Sequence, residues 1–404
     1  MGRALPPACP PIPPRRAILE NSQYDVLVVT PLFGGGVSPR EFDKSMPIRP
    51  SSIRGHLRFW WRATAGAKLT SVDDLRKKEE MVWGSTEMRS AVEVCVRDVA
   101  GGPKFPPNGR KLKYALFPFV ADTQGTPESP GVTGIKFKLG IRCPTGLRDE
   151  VDAALRAWMN FGGIGARTRR GCGALYCEAL ALRNREEALR AFPRGGASSG
   201  WPVLGDVLVS DIPERPLEAW KRVIELMRNF RQGEYGREGT IRDPHRSKWP
   251  EADTLRRITR SFLVSGHPPK AGGHDAFPRA ELGLPIQFKF TKDGGDEANN
   301  SELLPINDRN EELTRMASPI ILRPLAVSAD RAFGMVVRLN TPELKQAKLK
   351  ALQIKGRPSV SPQLNRIVPG SEIQNLAAAF VPGSPLAGHA SAVDAFFSYC
   401  EGRL

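Results

Sequence analysis

The sequence predicts an α+β protein whose N-terminal half is a ferredoxin-like domain, an antiparallel sheet with its two main helices on one face. Three observations predict it. Apolar residues alternate along several short stretches, and they recur at helical spacing along two others. The stretches follow one another as strand, helix, strands, helix, strand, the order of a split β-α-β unit carrying a helical insertion and a long hairpin.

Tyr24 to Phe33 is rich in β-branched residues and runs into Gly34-Gly35-Gly36, a strand followed by a loop. Pro50-Ser51-Ser52 opens a helix, with Ser51 or Ser52 as its N-cap, and the helix should stop near Gly66. A second, strongly charged helix covers Val72 to Met81. Ala91 to Asp98, Leu112 to Val120 and Thr133 to Arg142 alternate as strands. Leu147 to Asn160 is amphipathic, with Val151, Leu155, Trp158 and Met159 on one side. A glycine-rich loop follows, and Gly173 to Leu182 resumes a strand pattern.

Gly195 to Gly200 reads as a linker. Beyond it, Pro216 to Arg231 has the spacing of an amphipathic helix. Leu284 to Phe290, Ile320 to Val327 and Ala332 to Leu339 read as strands, Asp293 to Asn300 as a turn, and Gly356 to Gly370 as loop. Ala377 to Phe380 and Ala392 to Tyr399 read as short helices. The division is a Pro/Arg-rich arm at 1–16, a domain at 17–195 and a second domain at 200–404.

The formal net charge of +16 is uneven: residues 1–200 carry 31 Lys+Arg against 19 Asp+Glu, and residues 201–404 carry 28 against 24. A basic half points to a polyanion. No apolar run is long enough to span a membrane, and the N-terminus lacks the apolar core of a secretory signal. Pro6 stands where a myristoylation signal needs Ser or Thr. The six cysteines form no Cys-x-x-Cys pair, and His267 and His274 lack partners at ligand spacing. We therefore expect a cytoplasmic protein with no metal and no cofactor.

Three places carry chemistry. In the loop from Phe161 to Gly173, Gly162, Gly163 and Gly165 permit close backbone approach, so exposed N–H groups can form an anion nest. Arg167, Arg169 and Arg170 add donors for phosphate. The loop precedes a strand and lacks Gly-Lys-Ser/Thr, which excludes a Walker loop. The alternative is a solvated hairpin with incidental arginines. In the helix, Arg54, Arg58 and Arg62 recur every four residues and form one stripe, with no acid on the same face. Arg49, Ser51 and Ser52 stand at its N-terminus, a further anion site. Phe59 and Trp61 are candidates to stack on bases, against the usual role of such aromatics in a core. In the third place, Arg246, Lys248 and Trp249 sit in a proline-bounded loop, as an RNA contact or as a buried anchor.

Pro47-Ile-Arg-Pro-Ser-Ser-Ile-Arg-Gly-His-Leu-Arg-Phe-Trp-Trp-Arg62 and Gly162-Gly-Ile-Gly-Ala-Arg-Thr-Arg-Arg-Gly-Cys-Gly173 resemble the RAMP proteins of CRISPR systems, and most nearly the first RAMP subunit of the type III-B Cmr RNA-silencing complex. Segments from Arg246 to Glu251, Leu282 to Phe288 and Ser318 to Pro324 extend the resemblance past Arg323. It implies two ferredoxin-like RAMP domains in an antiviral ribonucleoprotein. It implies guide and target RNA as partners near the 3′ part of the guide, and a neighbouring RAMP subunit. It implies that this subunit does not cleave. Cys172 departs from the family, where an aromatic is common.

Two other classes compete. Some RAMP relatives are metal-independent endoribonucleases, and here His56 and Asp43 are the candidate general acid and base. One histidine without a partner base falls short of the two cooperating groups that cleavage needs. An architectural subunit that docks its basic face on an acidic neighbour is the third class.

Overall fold

The computed structural model describes residues 18–404 except 37–39, 122–124, 192–199, 234, 240–243, 261–267, 270–274, 291–299, 353–363, 375–383, 387 and 390. The N-terminal arm, nearly all of the linker and of Asp293 to Asn300, part of Gly356 to Gly370, the Ala377 to Phe380 helix, His267 and His274 therefore lie outside the described residues.

The first unit begins with β1 (Leu19–Val28), α1 (Pro50–Ala63), α2 (Val72–Trp83) and β2 (Glu93–Ala100). A small hairpin of β3 (Lys104–Phe105) and β4 (Gly131–Val132) brackets α3 (Lys113–Leu116). Then come β5 (Lys136–Pro144), α4 (Arg148–Phe161), β6 (Leu175–Tyr176) and α5 (Arg185–Arg190). The main sheet has the order β2-β5-β1-β6, antiparallel throughout. With α1 between β1 and β2 and α4 between β5 and β6, this is the ferredoxin-like arrangement. In the register Tyr24 pairs with Leu139 and Val26 with Phe137. These side chains share one face and pack on Ile53, Leu57, Leu155 and Trp158 of the two helices. The other face is polar, with Asp25, Lys138 and Arg97 side by side.

Three local expectations change. Arg49, in extended backbone, is the N-cap of α1, with Pro50 in the first turn, so Ser51 and Ser52 already lie inside the helix. Leu112 to Val120 is not a strand but a chain of short helical turns. Leu112, Ala115, Leu116 and Phe119 all face the second unit's core, which strict alternation cannot achieve. Of the strand expected over Gly173 to Leu182, only β6 pairs.

The second unit contains β7 (Val203–Val209), α6 (Pro216–Gln232), β8 (Arg237–Gly239), β9 (Pro244–Ser247), α7 (Glu251–Thr259), β10 (Ile286–Phe288), β11 (Ser301–Pro305) and β12 (Ile320–Ala326). It continues through β13 (Ala332–Asn340), β14 (Gln346–Ala351), β15 (Arg366–Pro369), α8 (Gly370–Ile373) and α9 (Ala392–Cys400). Its central sheet has the order β12-β13-β7, the first three strands of the same arrangement, and α9 follows as the second helix. Among the described residues no fourth strand joins it. Two insertions build a further sheet, β10-β11-β14-β15; its last strand, Arg366–Pro369, falls in a stretch expected to be loop.

The units share their interiors. The cluster centred on Leu57, Trp60 and Trp158 continues without a break into Val203, Val207, Met335 and Val337. A second cluster joins Phe33 and Cys172 to Trp220, Ile224, Leu322 and Phe396. At about 25 cal/mol per Å² of apolar surface removed from water, such continuity makes separation of the units costly.

Candidate nucleic-acid interface

The glycine-rich loop leaves α4 at Gly162 and returns to β6 through a single helical turn, Thr168–Arg170. It does not stand open. Ile164 N–H donates to Gly173 O, Ala166 N–H to Phe33 O and Gly173 N–H to Pro31 O, so these amides are already satisfied. Gly162 and Gly163 are buried, which corrects the expectation of an exposed nest. Gly171 has φ of +79°, and a Cβ there would lie 2.5 Å from the Trp220 ring. That close approach lets Trp220 Nε1 donate to Arg170 O at 2.6 Å.

Two of the three loop arginines reach the second unit. Arg170 Nη1 donates to Ile320 O at 3.1 Å, and Arg169 Nη1 donates to Ser318 O. Arg167 lies over the Phe117 ring at 4.9 Å, and its buried Nε has no hydrogen-bond partner among the described residues. Burial pushes Arg167 and Arg169 down to about 10 and lowers Arg170 as well, with Arg170 adding repulsion to the first two. From the other side comes Arg323 of β12, fully buried, donating to Gly162 O, to Met159 O at 3.2 Å and to Leu175 O at 3.3 Å. Burial takes it down to about 9.

The first helix holds its arginines differently. Arg54 has no hydrogen bond or ion pair among the described residues, and its Nε is buried. Arg58 Nε and Arg62 Nη1 both reach Glu79 Oε1 of α2, each at 2.6 Å. The acid-free face read from the sequence is therefore corrected: its partner comes from the next helix. Arg49 is paired with Asp43 at 2.7 Å, while Ser51 and Ser52 are exposed. Trp61 is buried and donates to Glu150 Oε2 at 2.9 Å, which removes it as a stacking surface. Phe59 stays partly exposed, with the Arg169 guanidinium 5.6 Å from its ring centre.

Helix and loop meet along a cleft of about 250 Å³, lined by His56, Phe59 and Trp60 on one side and Gly162, Gly163, Thr168 and Arg169 on the other. His56 lies parallel to Trp158 at 6.2 Å, and burial pushes it down to about 4, so it is neutral at pH 7. Asp43 accepts from the Ser45 and Met46 amides, the Ser45 hydroxyl and Arg49, which hold its carboxyl well below the usual range. It has become a loop-organising group rather than a base.

At the third place, Trp249 is 1% exposed, donates to Phe230 O at 3.3 Å and packs edge-on against Phe230. It is a core anchor, not a base platform. Lys248 N–H donates to Gly236 O, and Arg246 lies in β9. Sequence reasoning missed Glu79 and Arg323. A signal existed for the second, since one charge interrupts the apolar run Ile-Ile-Leu-Arg-Pro-Leu-Ala. Among the described residues no group of three potential metal ligands occurs, and no helix is long and apolar enough to cross a membrane.

Residues 25–176 match the model of the RAMP superfamily. The chain is 27% identical over 186 residues to CRISPR system Cmr subunit Cmr1-2 of Pyrococcus furiosus, covering 39% of this chain and 95% of that one. It is 29% identical over 135 residues to Cmr1-1 of the same organism, covering 32% of this chain and 40% of the other. The crystal structure of apo Cmr1 from Pyrococcus furiosus aligns at 17% identity with a TM-score of 0.46, over 87% of this chain and 94% of that one. A chain of the type III-B Cmr-beta complex bound to cognate target RNA aligns at 13% identity with a TM-score of 0.38, over 80% and 94%.

Proposed function

We propose, taking residues 25–176 as a RAMP-superfamily domain similar to the Cmr1 subunits, that this chain is a non-catalytic RNA-binding subunit of a type III-B CRISPR ribonucleoprotein. One observation carries the reading. Arg54, Arg58 and Arg62 form one stripe along α1, apart from the His56, Phe59 and Trp60 side that meets the glycine loop, and Arg54 has no described partner. Guanidinium groups on α1 neutralise phosphates, counterions leave, and affinity falls with salt. Arg49, Ser51 and Ser52 extend that face across the helix N-terminus. Such contacts position RNA without reading its bases, so sequence choice belongs to guide–target pairing in the assembly.

In the same reading, two RAMP domains at about 17–195 and 200–404 sit beside a neighbouring RAMP subunit near the 3′ part of the guide, in the cytoplasm, as part of antiviral defence. In this reading the arm at 1–16, Arg246 and Lys248 supply further contacts to RNA. Cleavage is left to another subunit: His56 is neutral and faces Trp158, and Asp43 is consumed by its own loop.

The test is a gel shift with labelled RNA across a salt series. Arg54→Ala should weaken binding about fivefold and reduce the salt slope by about one. Arg170→Ala should lower the melting temperature but leave the affinity of the folded protein nearly unchanged. The reverse pattern would return the RNA contact to the loop. Metal-independent cleavage of end-labelled RNA, lost in His56→Ala, would overturn the non-catalytic assignment.

A further inference from the structure

Glu79 looks at first like a neutralising acid that spoils the α1 stripe. Its placement argues otherwise. Its side chain is 9% exposed, whereas Arg58 and Arg62 are 35% and 31% exposed. The carboxylate therefore lies beneath the two guanidinium groups, away from solvent. A single oxygen, Oε1, takes Arg58 Nε and Arg62 Nη1, and Arg58 Nη1 also donates to Gly84 O at 3.3 Å, where α2 ends.

An arginine has five N–H donors. Among the described residues Arg58 Nη2, Arg62 Nε and Arg62 Nη2 have no partner. Two cations share one anion, so the trio keeps a net positive charge, and Arg54 adds another one turn earlier. The three arginines rise along α1 at about 6 Å intervals, four residues at 1.5 Å each.

We propose that Glu79 is a positioning residue for RNA binding: it holds Arg58 and Arg62 from below so that their outer edges face phosphate. The inference rests on the proposed RNA-binding reading of α1. Long arginine side chains lose rotamer freedom when a ligand immobilises them, and each such loss costs a factor of roughly two to ten in affinity. Glu79 imposes that order before RNA arrives. Simple charge accounting gives the opposite sign, because removing an anion near a polyanion site should strengthen binding.

The experiment uses the full chain and a labelled single-stranded RNA, titrated across a salt series. Four variants are compared: Arg58→Ala, Glu79→Gln, Glu79→Asp and Glu80→Gln. Glu80 neighbours Glu79 but makes no described ion pair, so Glu80→Gln removes the same charge without freeing an arginine. Glu79→Asp keeps the charge but is too short to hold both guanidinium groups.

We expect Glu79→Gln and Glu79→Asp each to weaken binding about fivefold and to lower the salt slope by about one, with Glu80→Gln at or above wild-type affinity. Slope is read on folded protein, so a loss of stability alone does not move it. Tighter binding in both Glu79→Gln and Glu80→Gln, or wild-type behaviour in Glu79→Asp, overturns the positioning role while Arg58→Ala still weakens binding. If Arg58→Ala binds as wild type, the RNA face on α1 is itself wrong and the inference falls with it.

Discussion

The glycine loop and the first helix each carry three arginines, and the cleft lined by His56 and Arg169 lies between them. Their chemistry is the same and their surroundings are not. The loop runs along β12, which among the described residues is an edge strand whose outer carbonyls lack a ladder partner. Arg169 and Arg170 fill that deficit by donating to Ser318 O and Ile320 O. A helix satisfies its own carbonyls except at its end, so among the described residues Arg58 and Arg62 find the Glu79 side chain, Arg58 also finds Gly84 O where α2 stops, and Arg54 finds nothing. The direction an arginine faces thus follows from what its neighbours leave unbonded. A Gly/Arg-dense motif beside an edge strand becomes a clasp, while a sparser stripe on a helix stays available to a ligand.

The comparison can be broken most sharply at Arg323. If the loop is a clasp, Arg323→Ala leaves Gly162 O, Met159 O and Leu175 O without their buried donor. Urea unfolding should show a loss of about 3 kcal/mol. A value near zero would mean that the seam carries little. Gly171→Ala sharpens the same side. The new methyl meets Trp220 at positive φ and disrupts the Trp220–Arg170 bond, for a loss of about 2 kcal/mol in the same assay.

The smallest effect lies on the helix side, at His56. Its folded value, about 4, is below the ordinary 6.5, so the unfolded chain takes up the proton first. Stability is full above pH 6.5 and is lost as pH falls toward 4. His56→Gln should flatten that limb by about 1 kcal/mol per pH unit, measured by denaturant midpoints at several pH values. An unchanged limb would show that the histidine is solvated rather than packed on Trp158.

Much of the first unit was legible because its periods are clean. The alternation at Tyr24 to Phe33 and the spacing of Ile53, Leu57 and Trp60 report one core. Leu112 to Val120 misled because a chain of short turns can also alternate, and its target, α6, lies a hundred residues on. The site was legible in residue type but not in direction. Arg170 meets Ile320, and Arg58 meets Glu79 across a loop whose length says nothing of register. Trp249 was balanced between two roles, and only its burial against Phe230 decides.

The Arg323 fan also limits how this chain can be recombined. The donor lies on one side of the join between Arg190 and Trp201, and its acceptors lie on the other. A chimaera that crosses over at that join inherits half a lock from each parent. It will assemble only when both parents keep the arginine and the same backbone trace at Met159, Gly162 and Leu175. Any single crossover between Leu175 and Arg323 meets the same constraint, so the stretch that reads most like a linker is no safer a place to splice than the elements on either side of it.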